Sequence, residues 1–297
     1  MGSRRRAGAT LVELVVVLVI TSILAGGMAV FLTRPLEAYR DLDRRARLVE
    51  MAEGSLRRIA RDVRRALPNS LRVAAGGTAL ELLHVAEGIK YRRQPGVNPP
   101  PGSEDHTDPT DWLTFAVAGD ERWNALGTFQ ALAFTYGVPL PGGTRVAIYP
   151  TGPGVYADAA LGSNPGTITP AGTTVTVHSD VDEDQLRLSS SFQFRFESPQ
   201  QRLFLVDTPV TWLCDLGAET LTRYDAYTIV QTQPTAAGAA PLSGASSALV
   251  SKRLTACAFT WQPGTPQRTG LLTVQLTLAE DGESIRLLHQ IHVENAP

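Results

Sequence analysis

The stretch RRRAGATLVELVVVLVITSILAGG, residues 4–27, decides how the rest of the chain is read. Three arginines precede a Gly8–Ala9 pair. An apolar run follows, with one carboxylate, Glu13, at its edge. From Leu14 to Leu32 no side chain is charged, and Val, Leu and Ile dominate. That is about the length of helix needed to cross the ~30 Å hydrocarbon core of a bilayer. A buried helix of a soluble domain would show a polar face, and none is visible here. A secretory signal would place a small-residue cleavage site after the run, where Ala25, Gly26 and Gly27 stand. The sequence therefore raises two questions: whether the apolar segment is kept, and why an acid sits at its edge.

Beyond Leu32 the pattern turns amphipathic. Leu36, Tyr39, Leu42, Ala46, Val49, Ala52, Leu56, Ile59, Val63 and Leu67 recur at spacings of three or four, one apolar stripe on a helix. Asp43–Arg47 and Glu53–Arg57 stand at i,i+4 and support it. Pro35 is predicted to kink the helix and Pro68, before Asn69 and Ser70, to end it. A continuous helix from Ala9 to Leu67 would reach ~88 Å, too long for a compact domain alone. The pairs Arg44-Arg45, Arg57-Arg58 and Arg64-Arg65 admit three readings. They could form a solvated face interleaved with Glu37, Asp41, Asp43, Glu50, Glu53 and Asp62. They could instead bind nucleic acid or anionic lipid, or contact acidic faces of neighbouring subunits. The solvated face is the plain expectation, and no nucleic-acid partner is expected.

The 297 residues, 43% hydrophobic with a formal charge of −2, allow an anchor plus one large domain or two small ones. After Pro68 the signal is mainly β. TALELLHVAEGIKYRR (78–93) reads as two strands around Glu87-Gly88. Further strands are predicted in DWLTFAV, RVAIY, TTVTVH, QLRLSSSFQFRFES and QRLFLVDTPVTWLCD, then in ETLTRYDAYTI, LTACAFTW, TGLLTVQLTLA and SIRLLHQIHVE. Period-two alternation is plain at Phe192, Phe194 and Phe196. Loops are expected at 94–110 and 232–248. The reading is an α+β chain: a long N-terminal helix, transmembrane in its first half and amphipathic in its second, packed on an antiparallel, β-rich head.

The order Arg4–Arg6, Gly8, Ala9-Thr10-Leu11-Val12-Glu13-Leu14 and then an apolar run resembles the type IV prepilin signal. The resemblance implies cleavage by a prepilin peptidase between Gly8 and Ala9, N-methylation of Ala9 and retention of the helix. Glu13 becomes the fifth mature residue, an assembly carboxylate that meets the amino terminus of a neighbouring subunit. Ala9 departs from the family's usual phenylalanine. The later stretches SPQQRLFLVDTPVTWLCD, LTRYDAY and GLLTVQLTL…GESIRLLHQIHVENAP resemble minor pilins of the MSHA (mannose-sensitive haemagglutinin) system, MshO type. Those are related to J-type pseudopilins of type II secretion. The implied organisation is a cleaved leader (1–8), a transmembrane assembly helix (9–33), an amphipathic helix (34–67) and a pilin head (68–297). The implied partners are other minor and major pilins, the prepilin peptidase, the inner-membrane assembly platform and the lipid bilayer. Arg4–Arg6 favour a cytoplasmic N-terminus, but five arginines between positions 34 and 47 follow the helix. A periplasmic head therefore rests on the resemblance and on the cysteines.

Cys214 and Cys257 lie in strand-like segments 43 residues apart. They read as one disulfide if the head lies outside the cytoplasm, or as two buried thiols. Asp180, Asp182 and Asp184 form a D-x-D-x-D run, a solvated acidic loop or a weak calcium candidate. The EF-hand glycine and glutamate are replaced by Gln185 and Ser191. His106 with Asp105, Asp108 and Asp111 reads as a polar loop rather than a zinc site. His289 and His292 lack the spacing of a metalloprotease helix. Neither G-x-S-x-G nor a phosphate loop is present. No cofactor and no catalysis are expected. The expected role is that of a minor pilin of an MSHA-like or type IV pilus, in the initiating or tip complex. The alternatives are a J-type pseudopilin and a single-pass membrane-anchored adhesin or ligand-binding ectodomain.

Overall fold

The computed structural model describes residues 10–96, 106–264 and 268–293. One helix, α1 (Leu11–Arg64), is followed by twelve strands and a short helix, α2 (Val155–Leu161). The strands are β1 (Arg72–Ala74), β2 (Ala79–Lys90), β3 (Asp120–Ala125), β4 (Arg145–Ile148), β5 (Val175–Asp180), β6 (Glu183–Phe192), β7 (Arg202–Asp215), β8 (Thr220–Asp225), β9 (Ser246–Ser251), β10 (Leu254–Gln262), β11 (Gly270–Glu280) and β12 (Glu283–Val293). At 1.5 Å per residue α1 is about 81 Å long. The fold is α+β: an apolar N-terminal helix continuing into a head built from antiparallel sheets.

The helix is continuous across Pro35. It ends at Arg64, three residues before the expected stop at Leu67. The reason is β2. Leu67 N–H donates to Leu83 O at 2.7 Å and Val85 N–H to Arg65 O at 2.8 Å, so the chain leaves the helix to run along that strand. The buried stripe consists of Leu48, Ala52, Leu56, Ile59 and Val63. Each large member contributes about 1.5–3 kcal/mol of apolar burial. Tyr39 and Leu42, expected in the stripe, are exposed, and so is Ala46.

The largest sheet runs β1-β2-β7-β8-β9, with β4 also on β7. One edge of β7 is taken by β2, while the other is shared end to end by β4 (at Leu203–Val206) and β8 (at Thr211–Asp215). Pro209 falls in the gap between them. It faces Leu83, whose N–H and C=O point away to Ser70 Oγ and Leu67 N–H, so the missing proline donor costs nothing. A β10-β11-β12 meander forms a second sheet and β3-β6-β5 a third. α1, β2, β7, β8 and β10–β12 share one core around Trp212. A second core lies around Trp123, Phe192 and Phe194, between the third sheet and the start of β7.

Four strand expectations are corrected. Residues 78–93 form one strand, β2, rather than two, because a bulge at Ala86 absorbs the irregularity around Glu87-Gly88. Residues 111–117, DWLTFAV, are rich in apolar and aromatic side chains but form no strand. Asx-type bonds at Asp108 and a Thr114–Asp120 pair shape that segment as a loop. β3 and β9 arise where no strand was expected. Phe196 is 43% exposed, unlike Phe192 at the end of β6 and Phe194, which a bridge to Gly166 still holds over the second core.

Candidate assembly site

The apolar half of α1 begins with a cap. Thr10 is extended (φ −77°, ψ 152°), and its Oγ1 accepts from Glu13 N–H at 3.3 Å. Thr10 and Glu13 thus have capping-box spacing, which puts the carboxylate in the first turn, at the positive end of the helix. The acid sits where an anion is least costly. Even so, a carboxylate in hydrocarbon costs about 2.5–3.5 kcal/mol on insertion scales, so a cationic neighbour would stabilise it. The T-x-x-E signal was legible in the sequence and makes Glu13 a helix-start residue.

Leu11–Met28 is long and apolar enough to cross a membrane, and none of it packs on the head. Thr21 Oγ1 donates to Val17 O and Ser22 Oγ to Leu18 O, each at 2.7 Å. The hydroxyls are therefore satisfied within the helix and leave an apolar surface for lipid or for another helix. Gly8 and Ala9, the cleavage and methylation positions, lie outside the described residues.

Residues 3–29 match the model of the prokaryotic N-terminal methylation motif. The chain carries a prepilin-type N-terminus. The match supports a type IV pilin-like protein, processed by a prepilin peptidase and joined to pilin partners. The exposed apolar helix is consistent with membrane anchoring. Neither a curated protein nor a solved structure matches the chain.

The second half of α1 is fastened to the head. Asp62 accepts from Trp212 Nε1 (3.0 Å) and from Arg223 Nε (2.7 Å), and Arg223 also pairs with Asp225. Nearer the membrane-grade segment, Arg44 reaches Asp281 at 3.6 Å. The Cys214–Cys257 disulfide joins β7 to β10, and hence the first sheet to the second. The helix is thus bonded side chain by side chain to the head that it carries.

The D-x-D-x-D carboxylates do not converge. Asp180 accepts from Asn124 Nδ2 at 2.6 Å, and Asp182 is exposed in the β5–β6 turn. Asp184 is fully buried, accepting from Phe129 N–H (2.7 Å) and Tyr136 Oη (2.9 Å). The run pins two loops. His106 is buried 3.8 Å from both Asp180 and Glu183. Asp111 is also buried there, its carboxyl pushed up by burial and by Asp180 and Asp108. Asp105 lies outside the described residues. His84 pairs with Asp207 at 2.7 Å. Among the described residues no group of three or more His, Cys, Asp or Glu side chains is placed to hold a metal ion.

Sequence reasoning missed a buried cluster beneath β2. Glu81 is fully buried, 2.6 Å from Arg72 Nη2, and accepts from Tyr227 Oη at 2.9 Å. Arg72 lies 3.5 Å over the Tyr156 ring and donates to Val230 O and Gln231 O. Burial pushes Glu81 up to about 7, while Arg72 and Tyr227 pull it down. The cluster ties the loop after β8 to β1 and β2.

Proposed function

We propose that this protein is a minor pilin of an MSHA-like or type IV pilus, a non-catalytic subunit of the complex that initiates the filament or sits at its tip. One observation carries the reading. The helix bearing the methylation motif leaves its first half unpacked and buries its second half in the head. Such a rod is built for lateral packing with like rods. Val, Leu and Ala supply close contacts there without a strong hydrophobic drive in lipid, which suits insertion and extraction. The head, with its several sheets and long loops, serves partner choice. In this reading it lies in the periplasm and the helix in the inner membrane of a bacterium.

Mass spectrometry of the membrane-extracted protein, co-expressed with a prepilin peptidase, tests the proposal. The expected N-terminus is N-methylated Ala9. An intact Met1 or Gly2 start points to an uncleaved single-pass ectodomain, and a start beyond Gly27 to a secreted body; either overturns the proposal. Subunits that co-purify distinguish a pilus from a secretion pseudopilus.

A further inference from the structure

Where α1 ends, the head carries a groove of about 520 Å³. Its floor is apolar: Val63, Val85, Phe204 and Val293. The bulge at Ala86 opens β2 at this point, and Gly88 leaves room for the Phe204 ring; a Cβ there would meet Phe204 Cδ1 at 3.1 Å. The walls are cationic. Arg64, Arg65 and Arg202 line the groove, and Arg65 is held by its bond to Ala86 O at 3.2 Å.

Among the described residues these arginines are not ion-paired, and neither are Arg58 and Arg61. Glu87, the acid in the lining, is engaged by three backbone N–H groups, those of Gln130, Ala131 and Leu132, at 2.7–3.0 Å. In the β2–β7 register Lys90 stands directly opposite Arg202, next to the Gly88–Phe204 pair on the same face. Like charges so placed repel, and an anion between them relieves the repulsion. The chain as a whole is polarised. Residues 1–65 hold thirteen basic against seven acidic side chains, whereas residues 66–297 hold fourteen against twenty-two.

We propose that this groove docks an acidic, extended chain segment of a neighbouring subunit. Its carboxylates would be gripped by Arg64, Arg65 and Arg202, and an apolar side chain would be seated on Phe204. Arginine forks match carboxylates in paired geometry. The apolar floor suits a peptide side chain better than a phosphate backbone, which presents no apolar group to fill it. That the segment belongs to a neighbouring subunit rests on the pilin reading; the groove's preference for an acidic peptide does not.

The test uses the full chain in neutral detergent and a fluorescein-labelled peptide of four glutamates flanking Leu-Phe, read by anisotropy. Expected are saturable binding that weakens with salt, a loss of about tenfold or more in Arg64→Glu/Arg202→Glu, and little binding of the all-glutamine peptide. Arg64→Gln, an exposed single change, should give a smaller loss in the same direction and guards against misfolding of the double variant. Equal binding by wild type and both variants overturns the proposal. So does equal binding of the two peptides. Tighter, arginine-dependent binding of a DNA duplex reassigns the groove to nucleic acid and likewise overturns it. If the peptide binds but Ala9 is not the N-terminus, the pilin reading falls and the acidic-peptide site stands.

Discussion

Opening the Cys214–Cys257 bond removes one covalent tie within the head, and its effect can be worked from the chain. The bond spans a sequence separation of 43 and joins the Trp212-centred strand β7 to β10. On the loop-entropy model a link of that length removes about 13 cal/mol/K from the unfolded ensemble, or ~4 kcal/mol at 25 °C. With a urea dependence of ~2 kcal/mol/M for a domain of this kind, the midpoint should drop by about 2 M. The comparison is oxidised protein against the same protein under reductant, with Cys214→Ala/Cys257→Ala as a covalent control, all in neutral detergent. Hydrogen exchange adds location: Leu254–Gln262 should lose protection before β2 and the first half of β7, because the first sheet keeps its own pairings while β10 loses its tether. A midpoint change below about 0.5 M, or uniform loss of protection across the head, would refute the reasoning.

Asp62→Ala leaves Trp212 Nε1 without an acceptor and Arg223 with Asp225 as its remaining carboxylate, and should cost about 1–3 kcal/mol, read by urea unfolding; a loss below about 0.5 kcal/mol would show that solvent replaces the carboxylate. Glu81 has its ordinary value of 4.5 raised to about 7 by burial, so the folded state holds the proton more tightly than the unfolded chain does. Its stabilisation is complete below about pH 4.5, declines as pH rises towards 7 and is flat beyond. Glu81→Gln should flatten that decline, and an unchanged slope of stability against pH between 5 and 7 would assign it to other groups. Glu13→Ala should insert into membranes as wild type does yet enter sheared filaments poorly, measured by immunoblot of the filament and membrane fractions; normal incorporation counts against an assembly role for the carboxylate.

The rod was readable because a 3.6-residue period sustained over more than thirty positions has no strand counterpart. Its lower stripe was misplaced because periodicity marks a face without saying where a partner begins. Leu42 repeats correctly, yet it lies below the Arg44–Asp281 contact and faces no sheet. β7, β10, β11 and β12 announced themselves through alternating β-branched and aromatic residues. β3, with the sequence DERWNA, did not, since its place depends on Trp123 filling the second core and Asn124 bonding Asp180 across the sheet. At the candidate site the glycine, glutamate and apolar run were local and legible. Asp62 was not, because Trp212 and Arg223 are 150 and 161 residues away and only the folded chain brings them together. The arginine-lined groove was hidden for the same reason: its arginines come from the end of α1, its C-cap and β7, and its opening from a bulge in β2.

The continuity of α1 has a mechanical consequence. A pull applied at the lipid end meets no soft joint on the way to the head, because one helix runs from Leu11 to Arg64. The load arrives as shear along the flank of the helix, shared among the Asp62 bonds and the apolar stripe, so that many contacts must fail together before the cargo tears loose.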